Sequence, residues 1–402
     1  MHYPLLRLRK GKEQSVHYRH PWIFSGAFEN LKESGIASGS LVHVADCEGK
    51  IVATGTFSFH SMIAVRVFDF GKACIDRTWL REKITNAEAH RTQLGYGPGT
   101  ETTGYRVCFG EADGLPGLVV DRYEDVLVVQ ISTAGAEGLK EMILDVLKEI
   151  FSPTAIVEKS NLPSRKDEKL EMREEILYGK LKDAVEFQEQ GLKFFCDPLK
   201  GQKTGFFLDQ KDLRREIQKW AKGRKVLNLF SYTGAAGVYA MKGGAKSVRH
   251  VDSSEWALEQ CPLNHKLNKF AEKKISCEHA DIFSWLTKPV HEGVFDMVIL
   301  DPPAIIKSRE DILHGEKAYH FLNRAAMRFV NDQGIFVTSS CSHFLTAQDF
   351  RLILQRAAVQ NNMSLRILAE VGQSGDHPLS LSFPESRYLK SLVCLVERRL
   401  PS

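Results

Sequence analysis

Between Lys225 and Asp252 the chain reads KVLNLFSYTGAAGVYAMKGGAKSVRHVD, and this stretch constrains the fold more than any other. Val226, Leu227, Leu229 and Phe230 form a short apolar run of the kind found in a strand buried on both faces. The run breaks at Ser231-Tyr232-Thr233-Gly234. Ala235 to Lys242 then has the length of a short helix, ending at Gly243-Gly244, where a left-handed cap costs little because glycine has no Cβ. Ser247 to Val251 reads as a second strand with Asp252 at its carboxyl end. The whole is one βαβ unit, in which the first turn brings backbone N–H groups to a ligand and the acid after the second strand accepts hydrogen bonds from a ribose diol.

The turn is Thr-Gly-Ala-Ala-Gly, lacking the G-x-G-x-x-G spacing that suits a pyrophosphate. A ligand with a ribose and no diphosphate, such as S-adenosylmethionine, fits it better than a nicotinamide dinucleotide. Net charge is only +4 over 402 residues, so a polyanion site has to be local. The eight cysteines show no C-x-x-C and no metal-ligand spacing, and most read as small core residues. With no signal peptide and no apolar run long enough to span a bilayer, the sequence predicts a cytoplasmic protein with reduced thiols and no membrane partner.

Ahead of the βαβ unit, residues 1–75 alternate short β-type runs with turns, which predicts a small β-rich domain. Its first 25 residues carry Arg7, Arg9, Lys10, Lys12 and Arg19 against the single acid Glu13, with Tyr18, Trp22 and Phe24 among them. Cations interleaved with aromatics can grip phosphates and stack bases, and equally suit a solvated face over core aromatics. Residues 76–188 predict a small α+β domain. It has a helix from Trp79 to Leu94, a hairpin at 118–131, and a helix from Glu137 to Ile150 with its apolar residues on one face. Arg165 to Glu175, dense in mixed charge, reads as an exposed loop or short solvated helix. Residues 201–210 place Phe206 and Phe207 where they could fold over a ligand or staple the next helix, with Asp209 as its cap.

From residue 189 to the end, strands and helices alternate, as in a doubly wound α/β sheet whose ligands lie outside the carboxyl ends of its strands. Asp252, Asp281, Asp301 and Cys341 all fall at such ends. The strands before Asp301 and Cys341 should be neighbours, which puts a carboxyl and a thiol about 5–10 Å apart and leaves room for a pyrimidine. Cytosine carbon 5 is too poor a nucleophile to take a methyl group directly from a sulfonium. Thiolate addition at carbon 6 would make it enamine-like, with a carboxyl near N3 stabilising the charge. The alternative for Cys341 is a buried small residue in a strand-end turn.

These segments resemble the successive motifs of class I SAM-dependent methyltransferases: Asn228-Leu-Phe-Ser-Tyr-Thr-Gly234, Val251-Asp-Ser-Ser254, Asp301-Pro-Pro303 and Ser340-Cys-Ser342. More closely, they resemble the RlmI-like 23S ribosomal RNA cytosine-5 methyltransferases. The likeness extends to Gly205–Gln210, Gly110–Gly117 with Asp121-Arg-Tyr123, His20–Gly26, Asp376-His-Pro378, Phe383-Pro-Glu385 and Tyr388-Leu-Lys390, and so covers the whole chain. It implies an amino-terminal PUA domain, a central α+β domain and, from residue 189, a Rossmann-like methyltransferase domain with a seven-stranded doubly wound sheet. It implies an S-adenosylmethionine site formed by Phe230, Thr233, Gly234, Asp252, Ser253, Asp281, Asp301 and Pro302, with Asp252 on the ribose and Asp281 on the adenine amino group. Cys341 would be the nucleophile, Asp301 its catalytic partner, and 23S rRNA or an assembling large subunit the substrate. One departure is Ala304-Ile305, where the family often has an aromatic two positions after Asp-Pro-Pro; Lys307 or Phe344 could take its place against the base. Methylation of a base nitrogen and a non-catalytic ribosome-assembly role are the competing readings. The sequence leaves open whether the chain acts alone or as a homodimer.

Overall fold

The computed structural model describes residues 3–31, 34–181, 184–288 and 294–398. They form two compact units. The first comprises 1–191, Cys196–Leu208 and Gly375–Ser386; the second comprises Leu192–Phe195, Asp209–Ser374 and Arg387–Ser402.

The first unit holds two five-stranded sheets. Strands β1 (Leu5–Arg7), β2 (Trp22–Phe24), β3 (Leu41–Ala45), β4 (Ile51–Phe57) and β5 (Ile63–Asp69) assemble in the order β1-β3-β4-β5-β2 around Leu8, Ile23, Val42, Val44, Phe57 and Val65. Strands β6 (Gly104–Phe109), β7 (Leu118–Tyr123), β8 (Val126–Ile131), β9 (Ala155–Ser160) and β10 (Arg173–Gly179) follow in the order β10-β9-β8-β7-β6. Helices Arg77–Gln93 and Lys140–Phe151 pack on this second sheet, the latter burying Ile143, Val146 and Leu147 as its period predicts. The predicted helix from Glu137 is broken: a separate turn of helix, Ala134–Gly138, precedes it.

The predicted solvated segment 165–175 is corrected in one important respect. Arg165 is 1% exposed, and its guanidinium donates to the carbonyls of Ile131 and Glu171 and to Glu137 Oε2. Residues 173–179 form the edge strand β10. A buried guanidinium is tolerated because three acceptors replace its hydration. Nor are most cysteines core residues. Cys108, Cys196, Cys261 and Cys394 are buried, whereas Cys47, Cys74 and Cys277 are exposed and Cys341 lies between.

Strands β11 (Val185–Glu189) and β12 (Leu192–Cys196) lead towards the second unit, whose centre is a seven-stranded sheet. Its strands are β13 (Lys225–Leu229), β14 (Ser247–Asp252), β15 (Ile275–His279), β16 (Phe295–Leu300), β17 (Val330–Ser340), β18 (Met363–Val371) and β19 (Lys390–Arg398). The order is β15-β14-β13-β16-β17-β19-β18, the first five parallel and β19 antiparallel to both neighbours. The sheet is doubly wound because its central strands are apolar on both faces. Val226, Met297, Ile299, Ile335 and Val337 face one core, and Leu227, Leu229, Val298, Leu300 and Phe336 face the other. Helices Lys211–Trp220 and Ala235–Lys242 cover the first side; Ile312–Met327 and Ala347–Gln360 cover the second. At the end of the first βα turn's helix, Gly244 takes the left-handed conformation (φ 87°), while a Cβ on Gly243 would meet the Gln218 carbonyl oxygen at 2.0 Å.

Several of the sequence signatures outside the second unit serve to hold the first together. Asp121, fully buried on β7, accepts two hydrogen bonds from Arg106 at 2.7 and 2.8 Å and one from Thr204 at 2.6 Å. Trp22 and Arg66 both donate to Glu111 Oε1 at 2.8 Å, and the Trp22 ring stands edge-on to Phe383. Asp376 accepts from the Arg106 backbone N–H, and its carbonyl accepts from Arg91. Removing one member of a buried ion pair leaves its partner charged and desolvated. Asp121→Ala should therefore lower unfolding free energy by about 3–5 kcal/mol in chemical denaturation, whereas Arg351→Ala, which breaks only an exposed pair with Glu370, should change it by less than about 1 kcal/mol.

Candidate active site

The turn after β13 is strained. Phe230 and Tyr232 have φ of 56° and 47°, and Gly234 follows at 83°. Two non-glycine residues in the left-handed region within three positions cost roughly 1–3 kcal/mol each and persist only where surroundings enforce them. The enforcer is Asp252. Its Oδ2 accepts from the Tyr232 N–H at 2.8 Å and its Oδ1 from the Ser254 N–H at 2.9 Å, so one carboxylate ties the ends of β13 and β14. A Cβ on Gly234 would meet Cys261 Sγ at 2.6 Å. Beneath lie His250 and His265, buried, with their Nε2 atoms 3.0 Å apart, and Asn228 Nδ2 is 3.2 Å from His250 Nδ1. Among the described residues the buried Thr233 Oγ1 has no hydrogen-bond partner.

The other predicted residues lie at the same edge of the sheet. Ser253 is exposed beside Asp252, and its carbonyl is 3.0 Å from His279 Nε2. Asp281, also exposed, follows β15 and accepts from the Ser284 N–H, which lowers its pKa below the usual carboxylate value. It is thus a helix cap as well as a ligand candidate. Phe283, the second residue of the short helix Ile282–Trp285 that Asp281 caps, stands edge-on to Phe230 with ring centroids 6.5 Å apart, an apolar wall that sequence reasoning missed.

Asp301 directly follows β16, and Cys341 directly follows the neighbouring β17. Their loops are joined by a residue the sequence reading passed over. Ser342 Oγ accepts from the backbone N–H groups of Ile305 and Ile306, both at 3.1 Å, and lies 3.0 Å from the Tyr319 hydroxyl. With both lone pairs taken by N–H groups, the Ser342 proton is the one that bridges to Tyr319. Pro302 is buried, Cys341 is half-buried, and Asp301 Oδ2 accepts from Gln210 Nε2 at 2.6 Å. Ile305 and Phe344 pack against the core, and Lys307 is exposed.

Residues 201–210 differ from expectation. Phe206 is buried against Phe187 in the first unit, so it is core and no lid. The cap position of the following helix is held by Gln210, and Asp209 accepts from the Tyr388 hydroxyl at 2.6 Å. The sequence offered no pattern for such long-range polar pairs. In the first unit Arg7, Arg9, Lys10, Lys12 and Arg19 are all exposed, as are Tyr18 and Phe24, while Trp22 is half-buried.

Two family models match the chain: a PUA-like domain at residues 6–70 and an S-adenosylmethionine-dependent methyltransferase at residues 165–325. A protein of Aliivibrio fischeri named ribosomal RNA large subunit methyltransferase I is 38% identical over 97% of this chain and 98% of its own. One of that name from Shewanella denitrificans is 36% identical over 97% and 99%. The chain belongs to the ribosomal RNA large subunit methyltransferase I family. A solved structure of a candidate SAM-dependent methyltransferase from Streptococcus mutans has the same fold, with a TM-score of 0.82 at 20% identity over 98% of this chain and all of that one.

Members of this family model use S-adenosylmethionine, and the second unit fits it. A strained turn, a buried hydroxyl awaiting a partner at Thr233, and the carboxylates of Asp252 and Asp281 stand at successive strand ends. No helix among the described residues is long and apolar enough to cross a membrane.

The His250–His265 pair makes this turn sensitive to acid. Burial pushes the pKa of His250 well below the ordinary 6.5, and that of His265 down to about 4. The unfolded chain therefore takes up protons at a pH where the folded chain does not, and stability rises with pH across that window. It should be fully present above about pH 6.5 and fall progressively towards pH 4, by up to about 1.4 kcal/mol per pH unit for each histidine. Thermal unfolding between these limits, compared with His265→Gln, should show a shallower pH slope in the variant.

Proposed function

We propose that this chain transfers a methyl group from S-adenosylmethionine to carbon 5 of a cytosine in 23S ribosomal RNA through a covalent bond between Cys341 and carbon 6. The names of its full-length relatives support large-subunit ribosomal RNA as the substrate. The single observation that carries the chemistry is the Ser342 hydroxyl, which fastens the loop after Asp301 to the turn bearing Cys341.

Bound S-adenosylmethionine supplies an electrophilic methyl group. In this reading Thr233, Gly234 and the backbone from Phe230 hold it, Asp252 and Ser253 take its ribose, Asp281 meets its adenine, and Asp301 with Pro302 floors the site. The Cys341 thiolate adds to carbon 6 of the cytosine, its lone pair forming the S–C6 bond while the C5=C6 π pair becomes available at carbon 5, which takes the methyl group as the S–CH3 bond breaks and the donor would leave as the neutral thioether. The Asp301 carboxyl stabilises the charge at N3, held in orientation by Gln210. After carbon 5 is methylated, a base removes its proton, the C5–C6 double bond re-forms and the cysteine departs as thiolate. Residues 1–75 act as a separate PUA-like RNA-binding domain, with Arg7, Arg9, Lys10, Lys12 and Arg19 on phosphates. Residues 76–188 form the central domain, residues 189–402 carry catalysis, and the protein works in the cytoplasm, where ribosomal RNA is available.

Cys341→Ala should keep S-adenosylmethionine binding in calorimetry and lose methyl transfer by at least ~10³-fold. Wild-type protein should form a denaturation-resistant adduct with RNA carrying 5-fluorocytosine. Full transfer by Cys341→Ala, or mass spectrometry locating the methyl on a ring nitrogen, would remove the thiol from the reaction. Asp252→Ala should raise the dissociation constant for S-adenosylmethionine at least ~10-fold, because the turn loses its tie as well as the ribose its acceptor.

A further inference from the structure

Lys390 begins β19 and lies in antiparallel register opposite Ser340, the residue before Cys341. Its ammonium donates to the carbonyl of Ser342, the residue after Cys341, at 2.7 Å. The side chain is half-buried, and among the described residues no carboxylate forms an ion pair with it. A lysine removed from water without an acid beside it is costly unless another anion answers its charge. The bond to the Ser342 carbonyl and the register opposite Ser340 set this ammonium against the turn that carries Cys341. Burial brings the Lys390 pKa down to about 8, and a thiolate at Cys341 would work in the opposite direction.

We propose that Lys390 is a positioning residue that holds Cys341 as its thiolate, bracketing the turn from β19 so that the nucleophile is charged before RNA arrives. The interaction is reciprocal: an anion that favours the protonated lysine is itself favoured by that ammonium to the same extent. Other titratable groups face the same turn. Tyr319, across Ser342, is kept protonated by burial; His343 is exposed; Asp301 lies at the end of the adjoining strand. Of these, only Asp301 would oppose the thiolate, and only in its ionised form; Gln210 donates to it.

This inference rests on the reading of Cys341 as nucleophile, and the experiment separates the two. Alkylation of Cys341 by iodoacetamide is followed by peptide mass spectrometry from about pH 6 to pH 9 in the full-length protein without RNA. The wild-type profile should have its midpoint below the ordinary thiol value of about 8.5. Lys390→Gln keeps an N–H for the Ser342 carbonyl and drops the charge; it should raise the midpoint and slow alkylation at neutral pH about tenfold, while Lys390→Arg restores both. Lys390→Met should shift the midpoint as Lys390→Gln does. A wild-type midpoint at or above 8.5, or a profile unmoved in Lys390→Gln, overturns the proposal even if 5-fluorocytosine RNA is still trapped. A depressed midpoint with no trapped RNA leaves Lys390 paired to a thiolate and removes Cys341 from the chemistry instead.

Discussion

One hydroxyl joins the two loops on which the proposed chemistry of the second unit depends. Ser342 Oγ accepts from two successive backbone N–H groups, Ile305 and Ile306, and gives its proton to Tyr319. All three of its hydrogen-bonding sites are used and its residue is fully buried, so the bond set has one geometry. The loop leaving β16 and the turn leaving β17 consequently behave as one piece. Parallel strands bring two loop starts to the same edge of a sheet, but only to within the freedom of the loops. In the proposed mechanism, fixing that freedom is what would turn two nearby polar residues into a reacting pair.

The same economy recurs at the other end of the site. Asp252 was expected as a ribose acceptor, and its two oxygens already receive the N–H groups of Tyr232 and Ser254. Each oxygen has a second lone pair to offer, so the two duties are compatible. If Asp252 both shapes the turn and meets the ligand, as proposed, the turn's strain is useful. The backbone at Phe230 and Tyr232 is held in an unfavourable conformation before the ligand comes, and binding need not supply that energy.

Much of this was legible in the sequence, for reasons that follow from chain physics. Strands buried on both faces must be apolar without alternation, so β13, β16 and β17 announced themselves, and Asp301 and Cys341 at the carboxyl ends of the latter two followed by position alone. The seven-stranded doubly wound sheet was expected and is present. What escaped was every interaction whose partner is remote in sequence: Gln210 with Asp301, Tyr388 with Asp209, Arg165 with Ile131 and Glu137, and Ser342 with its three partners. Charge density suggested exposure for Arg165, because composition cannot report that three acceptors are waiting inside. Phe206 could be read as folding over a ligand or as stapling the next helix because a glycine-flanked aromatic pair looks the same in sequence whether it covers a ligand or fills a core.

The central claim is that the fused loops, not merely the presence of Cys341, make the site competent. The most direct measurement is methyl transfer by Ser342→Ala under single turnover, with S-adenosylmethionine affinity determined on the same protein. The account predicts a loss of ~10–100-fold in the transfer rate, the order that about 1 Å of misplacement costs, with affinity for the methyl donor falling much less than the rate because Asp252 and the turn after β13 are untouched. Transfer at the wild-type rate by a folded Ser342→Ala protein would contradict it.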